Sequence, residues 1–191
     1  MRTTAGDGRV EETEVSVEHE GRIPVPDAAD LREDVAQLLP LIAPPGREPA
    51  RTMAILARQP DLLSPFLGWA AALALHGVLP HRAHELLALR AAANCRSEFE
   101  WVEHVEYARA AELNDEEIDR VAKPVAEGDW DEAERALLQA VDELTSGFDV
   151  TDATWALLAR HYDPPALVEI LFVVGQYTML SMVANAAGLP A

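Results

Sequence analysis

Apolar residues recur along this chain at helical spacing, separated by short polar or proline-rich segments. Residues 31–39 carry the first apolar stripe, and Pro40 with the Pro-Pro-Gly cluster at 44–46 is expected to end that helix. Pro49 is expected to open a second helix and Pro60 to close it. No segment shows the period-two alternation of a half-buried strand, so the pattern predicts helices alone.

The same spacing continues to the end of the chain. Ser64 is a predicted N-cap, with Pro65 as the first residue of its helix. Asn114 and Glu117 have the spacing of a capping box that opens a short helix. Further helices are predicted over residues 81–94, 97–111, 131–144 and 152–160, and from 163 onwards. The fold class that these elements predict is all-α, a multi-helix bundle.

Length and local composition indicate a single domain with a leader. The chain has 191 residues, and 49% of them are hydrophobic, which suits one core of ordinary size. Residues 1–21 are acidic, small and aperiodic, so we predict a mobile leader there. Residues 22–191 are predicted to form the helical domain.

Net charge and cysteine content limit the binding partners and the cellular compartment that we expect for this protein. A net charge of −18 repels nucleic acid and anionic membrane, so neither is expected as a partner. The single cysteine, Cys95, excludes an intramolecular disulfide. The first residues have no apolar signal segment, and we expect a cytoplasmic protein. Residues 166–187 are apolar but include Glu169 and Gln176, which favours a buried or subunit-interface helix over a membrane span.

Three polar residues of the predicted helix at 97–111 share one face. Ser97, Glu100 and His104 are spaced i, i+3 and i+7. A carboxylate one turn before an imidazole can hydrogen-bond it and raise its basicity. Glu85 lies on the preceding helix, which a short turn would fold back antiparallel, so its carboxylate could approach the same face. This arrangement is typical of acid–base chemistry.

Each of these residues also has an ordinary structural interpretation. Ser97 and Glu100 spell a capping box, in which both side chains bond backbone N–H groups. His104 taken alone is more often a core histidine, and Glu85 could simply pair with an arginine. Phe99 and Trp101 are more often core residues than walls of a pocket. These alternatives stay open at the level of sequence.

The spacing around His104 resembles a family motif. Glu85 is followed by eleven residues, then by Ser97 and Glu100 at the two positions of Cys-x-x-Cys, and then by His104 after three more. This is similar to the motif of alkylhydroperoxidase D-like proteins, which share an all-helical superfamily with carboxymuconolactone decarboxylases. The wording Phe-Glu-Trp-x-x-His resembles the decarboxylase-like branch, and the resemblance extends over residues 22–190. It implies an alkylhydroperoxidase D-like bundle that forms homo-oligomers (dimer, trimer or hexamer).

Both redox cysteines of that motif are missing, which changes the activity to expect. Cys95 lies two residues before the first motif position, a rotation of about 200° on a helix, so a two-cysteine peroxidase cycle is not expected. The resemblance then implies a cofactor-free lyase or isomerase for a small carboxylated, conjugated or lactone-type substrate. His104 would be the acid/base, Glu85 or Glu100 would orient it, and Ser97 could donate to the substrate.

Several residues are candidates for holding the substrate. Arg90 and Arg109 could bind a carboxylate, and Tyr177 could line the pocket together with two aromatic walls, Phe99 and Trp101. No cofactor is expected. A metal site was also considered, because His81, His84 and Glu85 precede Glu100 and His104 with ligand-like spacing, but His81 follows Pro80 at a helix start and no metal is expected.

Two other functions compete with proton transfer. One is a thiol-dependent peroxidase that uses Cys95 alone, since a single thiol can still be oxidised. The other is a non-catalytic oligomer that binds a small molecule.

Overall fold

The computed structural model describes residues 21–42 and 48–190, and those residues form helices and no strand. The prediction of an all-α fold is therefore confirmed. The nine α-helices of the described residues are α1 (Glu33–Ile42), α2 (Arg51–Leu56), α3 (Pro60–His76), α4 (His81–Asn94), α5 (Glu98–Ala110), α6 (Asp115–Val121), α7 (Glu132–Gly147), α8 (Asp152–His161) and α9 (Pro164–Ala187). Short 3₁₀ helices span Ala28–Asp30 and Val125–Glu127.

Three helix boundaries near the prolines differ from the prediction. Helix α1 runs through Pro40, and the cluster at 44–46 lies outside the described residues. Pro60 begins α3, with Gln59 at the N-cap, because a first-turn residue needs no N–H partner. Pro65 then lies inside α3, close enough to its start that the helix loses only one backbone hydrogen bond. The predicted cap at Ser64 is therefore wrong.

Helix α4 lies at the centre of the bundle and packs against α5, α7 and α9. Every residue of α4 from Ala83 to Ala92 is buried. One side of α4 joins a core cluster with α7, α8 and α9, and the other side, with Leu86 and Leu89, joins a second cluster around Trp130. A polar side chain on α4 therefore points into the interior of the protein.

A tight turn connects α4 to α5. Cys95 ends α4, Arg96 adopts a left-handed conformation with φ of 53°, and Ser97 is the N-cap of α5. The Ser97 N–H donates to the carbonyl of Ala92 at 2.9 Å, which closes the turn. The two helices pack side by side as a result, and Glu85 lies opposite His104.

Helix α9 is buried on one face and apolar on the other. Ile170, Val173 and Tyr177 join the core cluster with α4 and α7. By length and composition, α9 is the one helix of the described residues that could cross a membrane, with a mean hydropathy of 1.7. Its exposed apolar residues include Val168, Phe172, Met179 and Met182. The sequence predicted that α9 would be buried on several sides, but the rest of this chain covers only one face of the helix.

The boundary predicted at residue 21 is not tested by the fold. Residues 1–20 lie outside the part of the chain that the structure describes. Just after them, the Ile23 N–H donates to the carbonyl of Ala187 at 3.3 Å, which attaches the start of the domain to the end of α9.

Candidate functional site

A buried histidine–carboxylate pair joins α4 to α5. His104 Nδ1 lies 2.8 Å from Oε2 of Glu85. The two side chains keep 11% and 12% of their surface exposed, so the pair is shielded from bulk water without being sealed from it. In a neutral imidazole, Nδ1–H would donate to Glu85 and leave the Nε2 lone pair free. The predicted approach of these two residues across the helix pair is confirmed.

Glu100 lies one turn before His104 on the same helix, and one oxygen of its carboxyl group has no hydrogen-bond partner among the described residues. Oε1 of Glu100 is buried without a partner among the described residues, and the residue is only 3% exposed. Burial raises the pKa of Glu100 from 4.5 to about 7, with His104 opposing the shift and Glu103 adding to it. A carboxyl group in this state can donate a proton near neutral pH.

The predicted capping box at the start of α5 is only half formed. The Ser97 side chain accepts a hydrogen bond from the Glu100 N–H at 3.4 Å. The reciprocal bond is missing, because the Ser97 N–H is used by the Ala92 carbonyl in the turn. Ser97 is therefore a helix cap, whereas Glu100 is not held at the helix terminus and its carboxyl group is available to the site.

Helix α9 adds a tyrosine to this face. The ring of Tyr177 lies edge-on to that of His104, with centroids 4.4 Å apart and planes at 76°. The Tyr177 hydroxyl lies 2.9 Å from Nε2 of His84, which is also buried. Burial, together with the nearby charges of Glu85 and Glu100, raises the pKa of Tyr177 well above its ordinary range, so the phenol stays protonated.

His84 is the site residue whose role the sequence did not indicate. It was considered only as a metal ligand, yet its Nε2 faces Tyr177. Burial lowers the pKa of His84 below its ordinary value, so the imidazole is neutral at pH 7. The available signal was two adjacent polar residues, His84 and Glu85, in the stretch from Ala83 to Ala92, whose other residues except Arg90 are apolar.

The two arginines predicted to bind a carboxylate lie elsewhere. Arg90 makes a forked ion pair with Asp142 at 2.6 and 2.7 Å and also donates to the backbone carbonyls of Val121 and Lys123. Arg109 is exposed and pairs with Glu106 and Asp115.

Helix geometry explains why the two arginines lie away from His104 and Glu85. Arg90 follows Glu85 by five residues, and Arg109 follows His104 by five. That spacing rotates each arginine about 140° away from the residue that it was expected to assist.

Of the aromatic residues predicted for this site, Tyr177 lies against His104, whereas Phe99 and Trp101 have structural positions. Trp101 packs against the second core cluster with Leu86 and Leu89, and Phe99 is buried, as their structural interpretation requires. The rings in contact with His104 are those of Tyr177 and of Tyr107, whose centroid is 5.6 Å away. Tyr107 follows His104 by three residues and so continues the stripe that begins at Ser97.

Metal and thiol chemistry find little support in the geometry. No group of three or more His, Cys, Asp or Glu side chains within residues 21–42 and 48–190 converges as a set of metal ligands. Cys95 lies at the end of α4, partly buried. Burial raises the pKa of its thiol, although Thr178 and Ser181 partly offset that rise. A raised pKa is the opposite of what an attacking cysteine needs.

Comparisons with known proteins agree with the helical architecture. The model of the carboxymuconolactone decarboxylase family matches residues 60–143, the segment that contains α4 and α5. The fold is similar to an alkylhydroperoxidase AhpD core, an uncharacterized peroxidase-related protein from Ralstonia eutropha JMP134, with 22% identity over 90% of this chain and 92% of that chain and a TM-score of 0.78.

A second solved structure has the same fold. It is an uncharacterized peroxidase-related protein from Silicibacter sp. TM1040, with 15% identity over 93% of this chain and 94% of that chain and a TM-score of 0.79. No curated protein sequence matches this chain. At these identities the two structures establish the fold and leave the chemistry to be argued from the site.

Proposed function

We propose that this chain, whose residues 60–143 match the carboxymuconolactone decarboxylase family and whose fold is similar to that of an alkylhydroperoxidase AhpD core, is a cofactor-free proton-transfer enzyme. Its substrate is a small carboxylated, conjugated or lactone-type carbonyl compound, and its reaction is a decarboxylation or an isomerisation. His104 is the acid/base, and Glu85 orients it.

The buried pair of His104 and Glu85 is the observation that carries this proposal. A carboxylate 2.8 Å from Nδ1 fixes the tautomer and the orientation of the ring. The same carboxylate stabilises the imidazolium that forms when Nε2 takes a proton. One positioned group of this kind contributes about 10²–10⁴ in rate.

Both candidate reactions pass through a dienolate. In the isomerisation, His104 takes a proton from the carbon next to the carbonyl, the electrons of that C–H bond move toward the carbonyl oxygen, and the proton returns at another carbon. In the decarboxylation, the electrons of the bond to the leaving CO₂ take the same route, and His104 protonates the carbon that remains. Neither reaction consumes an oxidant or a reductant.

A thiol-dependent peroxidase is the second candidate, because two proteins of similar fold are named peroxidase-related. Its attacking group would have to be Cys95, the one cysteine of the chain. The raised pKa of that thiol and the buried pair of His104 and Glu85 both favour the proton-transfer proposal.

The test compares two histidines that each pair with a glutamate. Purified protein is assayed against a panel of lactones, β-keto acids and enones, and His104→Ala is expected to lower kcat/KM by about 10²–10⁴ for any compound turned over. His161→Ala is the matched control, because His161 lies 2.9 Å from Glu132 but at the surface. Equal activity in wild type and His104→Ala would contradict the proposal.

We also propose that the protein works as a homo-oligomer. The exposed apolar residues of α9, among them Phe172 and Met182, form a face that a second copy of the chain could cover. Sedimentation of the wild-type protein and of Phe172→Glu tests this, and a wild-type protein that is monomeric at micromolar concentration would contradict it.

A further inference from the structure

We propose that Tyr177 and Glu100 donate two hydrogen bonds to the carbonyl oxygen of the substrate, and that His84 positions the Tyr177 hydroxyl for this purpose. The proposal deepens the function proposed above and rests on it. It gives the site an oxyanion hole and defines the substrate by the oxygen that gains charge during proton transfer.

Three helices bring the necessary groups together. Glu100 and His104 share one face of α5, separated by one turn. Tyr177 from α9 lies against the His104 ring, 4.4 Å between centroids. The carboxyl group of Glu100 is close enough to Tyr177 to affect the pKa of the phenol. A carbonyl group held beside His104 would therefore meet both oxygens.

The buried carboxyl group of Glu100 can make one more hydrogen bond than the described residues provide. Its Oε1 is buried and makes no hydrogen bond within the described part of the chain. An unpaired buried oxygen is unfavourable, and it is stabilised when a water or a ligand atom bonds to it. The substrate oxygen supplies such an atom.

Both proposed donors are neutral. Burial keeps a proton on the Tyr177 phenol and on much of the Glu100 carboxyl group at neutral pH. A carboxylic acid and a phenol held protonated in an apolar site can stabilise a developing oxyanion without ionising first. Oxygens that carried charge would instead repel that oxyanion.

The contact between His84 and Tyr177 sets a strict condition on this arrangement. A phenol has one proton, and it reaches the substrate only if His84 donates its own Nε2–H to the phenol oxygen across the 2.9 Å contact. His84 is neutral because burial lowers its pKa, so it carries a single N–H. The proposal therefore requires the Nε2–H tautomer of His84.

The chemistry of these groups defines the substrate class. The electrons of the broken C–H or C–C bond end on the carbonyl oxygen as negative charge, which Tyr177 and Glu100 accommodate by hydrogen bonds. Arg90 and Arg109 are engaged elsewhere. The charges that act on Glu100 in the described residues are His104 and Glu103, with no arginine among them. The substrate is accordingly recognised through a conjugated ketone or lactone carbonyl.

Binding of 4-nitrophenol tests the two donors without turnover, because its phenolate resembles a flat dienolate and its ionisation is visible in the absorbance spectrum. Wild type is expected to bind the phenolate form, and Tyr177→Phe and Glu100→Met to bind it about tenfold or more weakly, the usual effect of losing a hydrogen bond to a charged group. Glu100→Gln keeps an N–H donor and is expected to retain most of the affinity. Tyr162→Phe, a half-buried tyrosine outside the cluster, is the matched control.

The results separate this proposal from the proposed function. Absence of phenolate binding by wild type, or equal binding by wild type, Tyr177→Phe and Glu100→Met, would overturn the oxyanion hole even if His104 proved essential for turnover. A ¹⁵N spectrum of the histidine side chains tests the positioning role. Nε2–H on His84 supports it, and Nδ1–H would overturn it, because the Tyr177 hydroxyl would then donate its hydrogen bond to Nε2 of His84 and not to the substrate.

Discussion

Glu100 allows the electrostatics of the site to be tested through stability alone. Burial raises its pKa from 4.5 to about 7. Each pKa unit corresponds to about 1.4 kcal/mol, so ionising Glu100 in the folded protein costs about 3 kcal/mol. Since the folded-state pKa is the higher one, the stabilising effect is complete below pH 4.5 and is lost as pH rises through about 7. Glu100→Gln removes the ionisation and keeps the shape of the side chain.

The assay is urea unfolding of wild type and Glu100→Gln at pH 5 and pH 8, at one protein concentration. Between these pH values, wild type is expected to lose about 2.5 kcal/mol more unfolding free energy than the variant, because part of the effect is already lost at pH 5 and other titrating groups contribute to both proteins. Glu98→Gln, an exposed position on the same helix, should behave like wild type. If wild type and Glu100→Gln showed the same pH dependence, Glu100 would not be held neutral by burial.

Three further substitutions test the remaining assignments. Arg90→Met should lower the free energy of unfolding by about 2–4 kcal/mol in urea, since Asp142 and two backbone carbonyls lose their partner, and activity per folded molecule should be unchanged; a selective loss of activity would return Arg90 to the site. Cys95→Ser should leave any hydroperoxide consumption unchanged, and its loss would support the peroxidase alternative. Phe148→Gly should raise the melting temperature, by an amount equivalent to about 1 kcal/mol, because Phe148 is 81% exposed and holds a φ of 60°; an unchanged or lower value would refute that strain.

Helical periodicity predicted most of the fold because each helix buries one apolar stripe. The long apolar helix after Asp163 and the capping box at Asn114 were both found by pattern. Proline was less reliable, because it is tolerated in the first turns of a helix as well as at its end. The spacing predicted a helix in this part of the chain, but α3 begins at Pro60 and contains Pro65, whereas the predicted helix began at Pro65.

The site was predictable along one helix and less so between helices. Ser97, Glu100 and His104 share a face of α5 by spacing, and the short turn placed Glu85 opposite His104. The contact of His84 with Tyr177 joins residues 93 positions apart, and no local pattern indicates it. The same limit applies to Arg90, whose partner Asp142 comes from α7. The sequence also left two roles open for Glu100, helix capping and chemistry. The backbone hydrogen bond from the Ser97 N–H to Ala92 takes the donor that the reciprocal capping bond would need, and no local pattern indicates it.

Exchange of substrate hydrogen with solvent tests the central claim most directly. Each carbonyl compound of the panel is incubated with the protein in D₂O and followed by proton NMR. Proton transfer at His104 predicts that wild type and His161→Ala incorporate deuterium at the carbon next to the carbonyl, and that His104→Ala does so about 10²–10⁴ times more slowly. Incorporation at equal rates by wild type and His104→Ala would contradict the assignment of His104 as the acid/base.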